Sequence, residues 1–157
     1  MDLDRFDRKI LALLQQDNRM AQRDIAEAVN LSSSSVNRRI AAMEAAGIIR
    51  ANVAVVDPAK VGRPITIVVE ITVESERLDL LDAVKQRFVE CPQVQQVYYV
   101  TGDVDIVLVM NVADMAEYER LTRELFFSGG NVRRFRTLVA MERSKVSLSV
   151  SMAQESG

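Results

Sequence analysis

The chain has 157 residues, 48% of them hydrophobic, with 20 basic and 22 acidic side chains and a formal net charge of −2. It contains no histidine and one cysteine, Cys91. This excludes His-based metal sites, an intramolecular disulfide and every nucleophile–histidine arrangement, so no metal, no cofactor and no catalytic residue is expected. No apolar run is long enough to span a bilayer, and Met1-Asp2-Leu3-Asp4 begins no signal peptide. A cytoplasmic protein with no membrane partner is expected.

Residues 3–16 read as an amphipathic helix, with Leu3, Phe6, Ile10, Leu13 and Leu14 on its apolar face and Asp2 or Asp4 as its cap. Asp17-Asn18-Arg19 ends it. Gln22 to Met43 then reads as two short helices joined by a tight turn, a helix-turn-helix. Ile25, Ala26 and Val29 face inward from the first. Val36, Ile40 and Met43 recur at i, i+4, i+7 in the second. Asn30 tolerates the left-handed conformation that a sharp turn requires. Leu31 can plug the angle between the helices, and Ser32 can cap the second.

With Val36, Ile40 and Met43 inward, Ser34, Asn37, Arg38 and Ala41 point outward, flanked by Ser33, Ser35 and Arg39. A helix entering the major groove needs small residues for close approach, Asn or Arg for base edges, and hydroxyls or Arg for phosphates. The expected contacts with double-stranded DNA are therefore Arg23, Ser33, Ser34, Ser35, Asn37, Arg38, Arg39 and Arg50. The charge balance argues the other way, since residues 1–50 carry eight basic and seven acidic side chains where many such domains are strongly basic. So weak a field per subunit points to several subunits binding together.

Gly47 is positioned as a C-cap. Ile48 to Val56 reads as a strand or wing, and Pro58 to Pro64, with Gly62, as a linker. From Ile65 the period changes. Ile65–Val73 is a β-branched strand. Leu78–Val89 is helical, with Leu78, Leu81, Val84 and Phe88 on one face. Cys91, just before Pro92, is a buried apolar residue at the helix end. Val94–Val100 and Val104–Val112 are strands around the turn Thr101-Gly102-Asp103. Asp114 caps a helix to Phe127 with Met115, Tyr118, Leu121 and Leu125 inward. Ser128-Gly129-Gly130-Asn131 ends it, and Val132 to about Val150 is extended.

The fold class is α+β: an N-terminal helix-turn-helix, winged-helix-like domain over residues 1–50, a strand and linker over 51–64, a C-terminal ferredoxin-like βαββαβ domain over 65–150, and a flexible tail over 151–157. Strands 65–73 and 104–112 are more apolar than a sheet covered on one face requires. A second subunit is expected on the other face, giving a dimer and room for a larger ring.

Over nearly its full length the sequence resembles the Lrp/AsnC family of bacterial and archaeal transcription regulators. The resemblance is carried by LDRFDRKILALLQQDNR, DIAEAVNLSSSSVNRRIAAMEAAGIIR and AVVDPAKVG, then by VTGDVDIVLVM and NVRRFRTLVAMERSK, in that order and spacing. It implies an N-terminal DNA-binding domain and a C-terminal domain that dimerises, often builds octamers and binds small effectors, usually amino acids. The effector site it implies lies between dimers, at Thr101, Gly102, Asp103, Val104 and Asp105, with Met115, Leu138 and Val139 near the cleft. Asp103 or Asp105 can meet an ammonium group. The Thr101 hydroxyl and the N–H groups around Gly102 can meet a carboxylate. Val104 stands where the family usually has an aromatic residue, Asn18 where it has Gly, and Ser33 where it often has Pro.

The expected function is thus a sequence-specific, homo-oligomeric transcription regulator modulated by an amino acid. The alternative is a DNA-wrapping architectural protein with little sequence preference and no effector. An enzyme is not expected.

Overall fold

The computed structural model describes residues 1–152 and divides the chain into two compact units, each with its own hydrophobic core. The first comprises Met1–Ala54 together with the chain from Val146, and the second is Val55–Lys145. Residues 146–150, which the sequence reading takes as the end of the C-terminal domain, pack with the first unit. Of the tail expected at 151–157, residues 153–157 lie outside the described residues.

In the first unit, α1 (Arg5–Gln16) starts at a capping box: the Asp4 carboxylate accepts from Asp7 N, and the Asp7 carboxylate accepts from Asp4 N. α2 (Gln22–Val29) ends at Asn30, which adopts φ 57° and ψ 48°. Ser32 then caps α3 (Ser33–Ala45), its hydroxyl accepting from Ser35 N at 3.2 Å. These three helices bury Ile10, Leu11, Ile25, Ala26, Val29, Val36 and Met43, with Leu31, Ile40 and Met152 packed against them. Ala26 is small and buried within this core, where close packing leaves little room for a larger side chain. Gly47, at φ +71°, reverses the chain after α3, and Ile48 N returns to Met43 O at 2.9 Å. The α1 stripe differs from expectation: Asp7 and Leu11 are buried with Ile10, while Leu3, Leu13 and Leu14 sit at the margin.

The strand or wing expected over 48–56 does not form. Those residues run as irregular chain, with Val53, Val55 and Val56 exposed. A strand needs a neighbour to take its N–H and C=O groups, and no segment among the described residues pairs with it.

The second unit runs through a 3₁₀ turn (Ala59–Val61) into β1 (Ile65–Val73), α4 (Leu78–Val89), β2 (Val94–Tyr99), β3 (Ile106–Val112), α5 (Met115–Thr122, widening into a π turn, Arg123–Phe127) and β4 (Val132–Val139). The sheet is antiparallel in the order β2-β3-β1-β4, the ferredoxin-like arrangement. Ile67, Val69, Ile71 and Val73 of β1, with Ile106, Leu108, Met110 and Val112 of β3, form the face buried with Leu81, Val84, Phe88, Tyr118, Leu121 and Phe126 from the helices. Successive residues of a strand alternate between faces, so Val68, Val107, Val109, Tyr98 and Leu138 share the opposite face. Both helices of this unit lie on the first face.

Two helix-start residues expected inward are exposed, Leu78 at 75% and Met115 at 46%. Each begins its helix beyond the edge of the core. The extended stretch expected to reach Val150 stops as a strand at Val139, after which one further bond joins Ala140 N to Thr66 O at 2.9 Å. The α5 end is closed by Arg87, which donates to the carbonyls of Leu125, Gly129 and Gly130 at 3.0, 2.6 and 2.8 Å. Among the described residues no helix is long and apolar enough to cross a membrane.

Candidate DNA-reading helix and effector hairpin

The turn at Asn30 and the cap at Ser32 fix which side of α3 faces out. Ser33, Ser34, Asn37, Arg38 and Ala41 are exposed, and Ser35 is half-buried. Asn37 is oriented from α2, whose Gln22 Nε2 donates to its Oδ1 at 3.1 Å. The Ser34 hydroxyl bonds that of Ser32 at 3.1 Å. Arg38 stands on the exposed face. Arg23, at the start of α2, is almost fully exposed and 3.6 Å from Asp24. Arg50 is exposed beyond the reversal at Gly47.

Arg39 is different. Its Nη1 donates to Asp4 Oδ2 and Asp7 Oδ1, both at 2.8 Å, and its guanidinium lies 5.5 Å from the centre of the Phe6 ring. The Arg39 side chain is 25% exposed and that of Asp7 only 3%. The Asp7 and Asp4 carboxylates raise the pKa of Arg39, and the Asp7 N–H with Arg39 lowers that of Asp4. Expected as a DNA contact, Arg39 is instead drawn inward to neutralise a buried carboxylate and bolt α3 to the cap of α1. A buried carboxylate without a cation is too costly to leave alone.

In the second unit, the hairpin between β2 and β3 closes with Val100 N donating to Asp105 O at 2.9 Å. Gly102 adopts φ +115°, a conformation that L side chains avoid. Thr101, Gly102 and Asp103 are exposed and Val104 is half-buried. Asp105 is partly committed: its Oδ2 accepts from Val73 N at 2.8 Å, and its own N–H donates to Ile71 O at 2.9 Å. It braces the hairpin against the end of β1, which leaves Asp103 as the acid held clear of the fold.

The strand register separates the remaining residues from this hairpin. Ile106, next to it, pairs with Ile71, whereas Leu138 pairs with Val68 and Val139 with Ile67. Ile71 and Ile67 are four positions apart on β1, about 13 Å at the strand rise. Met115 follows Val112, whose partner is Ile65, at that far end. One chain therefore does not bring Thr101–Asp105 together with Met115, Leu138 and Val139.

Sequence reasoning missed a polar network at that far end. Glu117 is buried and accepts from Arg63 Nη1 on both oxygens, from Gln93 Nε2 at 3.0 Å and from Ala113 N at 2.7 Å. The Ala113 N–H first, then Arg63, hold its carboxyl at a pKa of about 2. A glutamate three residues after the helix cap Asp114 was the available signal, though its partners lie 24 and 54 residues away.

Comparison with known proteins follows the same two-part division. The profile of the Lrp/AsnC ligand binding domain matches residues 66–150, and that of a winged helix-turn-helix DNA-binding domain matches residues 3–50. An uncharacterised HTH-type transcriptional regulator of Sinorhizobium fredii is 38% identical over 150 residues, 96% of this chain and 89% of that protein. The crystal structure of an AsnC family transcriptional regulator from Agrobacterium tumefaciens superposes with a TM-score of 0.90 at 35% identity, covering 96% of this chain and 97% of that one. A transcriptional regulator from Neisseria meningitidis, solved in complex with L-Met, shares the fold at a TM-score of 0.89 and 24% identity, covering 96% of this chain and 97% of that one. With a helix-turn-helix that presents a polar, basic face and a ferredoxin-like domain matched through residue 150, the chain belongs to the Lrp/AsnC family of DNA-binding transcription regulators, which carry an effector-binding domain and are not enzymes.

Proposed function

We propose that this regulator works in the cytoplasm as a homo-oligomer that binds specific operators and is modulated by an amino acid. The observation that carries the DNA contacts is the exposed face of α3, where Ser33, Ser34, Asn37 and Arg38 are presented while Arg39 is held inward. Asn37 and Arg38 read base edges. The serines, Arg23 and Arg50 contact phosphates. Dimers place two α3 helices in successive major grooves, about 34 Å apart. The sheet face away from the helices, with Val68, Val107, Val109, Tyr98 and Leu138, supports a dimer contact there.

The effector contacts are divided between chains. Thr101, Gly102 and Asp103, with Val104 and Asp105 behind them, take the ammonium and carboxylate of an amino acid. Met115, Leu138 and Val139 of another subunit supply the apolar wall. The register supports this reading, since the two groups lie at opposite ends of one sheet, and so does the L-Met complex of the neisserial neighbour. The ligand then shifts assembly by binding one arrangement of dimers better than another.

The test is binding to DNA from upstream of the protein's own gene, at fixed salt, with and without each amino acid and against unrelated DNA. Specific binding changed by one amino acid is expected. Equal affinity for both DNAs would leave the architectural alternative in its place.

A further inference from the structure

Asn111 sits on β3 and is 6% exposed. Its Oδ1 accepts from the Thr66 hydroxyl at 2.9 Å, but its Nδ2 has no partner. A buried amide donor left unpaired is costly, and native proteins rarely leave one so. Asn111 lines an open groove of about 240 Å³ formed by residues of the second unit. Val56, Pro58, Val61 and Pro92 supply its apolar wall, and Arg63, Gln93 and Gln95 its polar one.

We propose that this groove is a second small-molecule site, distinct from the hairpin, and that it takes a short aliphatic monocarboxylate without an ammonium group. Asn111 Nδ2 is the buried donor awaiting an acceptor oxygen. Arg63 commits only Nη1 to Glu117, and a guanidinium has further N–H donors for an anion. Val56, Val61 and the two prolines suit a branched alkyl tail. No carboxylate lines the groove itself among the described residues, and the nearby Glu117 carboxylate is already taken by Arg63, Gln93 and the Ala113 N–H, so an ammonium group would find no free carboxylate there, next to Arg63. The groove's volume of about 240 Å³ admits a branched five-carbon acid with its tail against Val56 and Val61. Val56, Pro58 and Val61 all lie in the chain that leads out of the first unit into the second, so such a ligand would stiffen the segment that leaves the DNA-binding unit.

The probe is isovalerate, titrated calorimetrically into the full-length protein at neutral pH, with L-valine as the same skeleton bearing an ammonium. Saturable binding of one isovalerate per chain is expected, with L-valine weaker by at least about tenfold. Asn111→Asp keeps the acceptor for Thr66 but repels an anion. Val61→Trp fills the groove from an exposed position and leaves the core untouched. Each is expected to weaken isovalerate at least about tenfold, while Asp103→Asn leaves it unchanged. That last variant separates this site from the hairpin, so failure of either reading leaves the other standing. No heat up to roughly 10 mM, a concentration that corresponds to about 3 kcal/mol of affinity, would overturn the proposal. So would binding that survives both substitutions, or equal binding of L-valine. So would the absence of isovalerate binding together with a loss of self-association in Asn111→Asp, which would give Nδ2 to a second copy of the chain.

Discussion

The face of α3 and the hairpin after β2 are both exposed, polar and short, yet they differ in what one chain completes. On α3, four residues within two turns present a full surface, and everything that orients them lies between Asp4 and Met43. At the hairpin, Thr101, Gly102 and Asp103 face solvent. The residues expected to supply an apolar wall lie about 13 Å along the sheet. A surface made by one helix can bind as soon as the domain folds. On the proposed reading, a surface split between sheet ends gains its shape from assembly, and assembly is then what a ligand controls.

The largest expected effect tests whether α3 is anchored as described. Arg39→Ala should destabilise the protein by about 3 kcal/mol, because Asp7 is then left buried without its cation. Arg38→Ala, one residue away on the exposed face, should leave thermal unfolding unchanged within about 0.5 kcal/mol. Equal melting of the two variants would mean that Arg39 is not the bolt between α3 and α1.

The contrast between these neighbouring arginines also marks how far sequence reading reaches. Asn30, Ser32 and Gly47 are legible because turn and cap chemistry is local: each acts on backbone within five residues. Which of two adjacent arginines turns inward depends on Asp4 and Asp7, more than 30 residues earlier. A trace was present, since Asp7, Ile10, Leu11 and Leu14 follow helical spacing, and a carboxylate within an apolar stripe demands a cation. Reading Phe6 and Leu13 as the stripe hid it. Leu78 and Met115 misled because periodicity fixes a direction around a helix but not how far along it the core extends. The apolar run 48–56 reads as a strand, but a strand also requires a neighbour, and none pairs with it among the described residues. At the effector site, residue types were legible at the hairpin, whereas the separation of Leu138 and Val139 from it follows only from register.

Glu117 sharpens the comparison from the other end of the sheet. Its carboxyl is held at about 2, below the usual value of 4.5, so its contribution is fully present above about pH 4.5 and is lost as pH falls toward 2. That contribution is roughly 2–3 kcal/mol. Glu117→Gln should lower stability by this amount at pH 7, and the difference from the parent protein should shrink through that acid window. A constant difference between pH 7 and pH 2 would show that the loss is packing rather than charge.

On the DNA side, Arg38→Ala should weaken specific binding by about 1–3 kcal/mol if it makes a bidentate base contact, with unrelated DNA affected less. Unchanged operator affinity would remove Arg38 from the reading face. On the hairpin, Asp103→Asn and Asp105→Asn should each reduce the amino-acid response, by about tenfold in effector concentration, with DNA binding intact. Asn at 105 can still accept from Val73 N, so its hairpin should hold. A normal response in both variants would remove the hairpin acids from ligand recognition.

The smallest effect concerns how the first unit is finished. Gln15 uses its side-chain amide as a peptide group, donating to Val150 O at 2.9 Å and accepting from Val150 N at 2.7 Å. Met152 then packs against the helical core. The DNA-binding unit is therefore closed by chain that has already passed through the whole second unit. Both bonds are exposed, so Gln15→Ala should cost only about 1 kcal/mol, measured against Gln16→Ala as a control on the same helix. The more telling readout is protease cleavage after residue 145. If the clamp holds the closing segment on α1, cleavage there should rise in Gln15→Ala while the first unit stays helical. Unchanged cleavage would place the retention of that segment on contacts other than the Gln15 amide, Met152 packing against the helices among them.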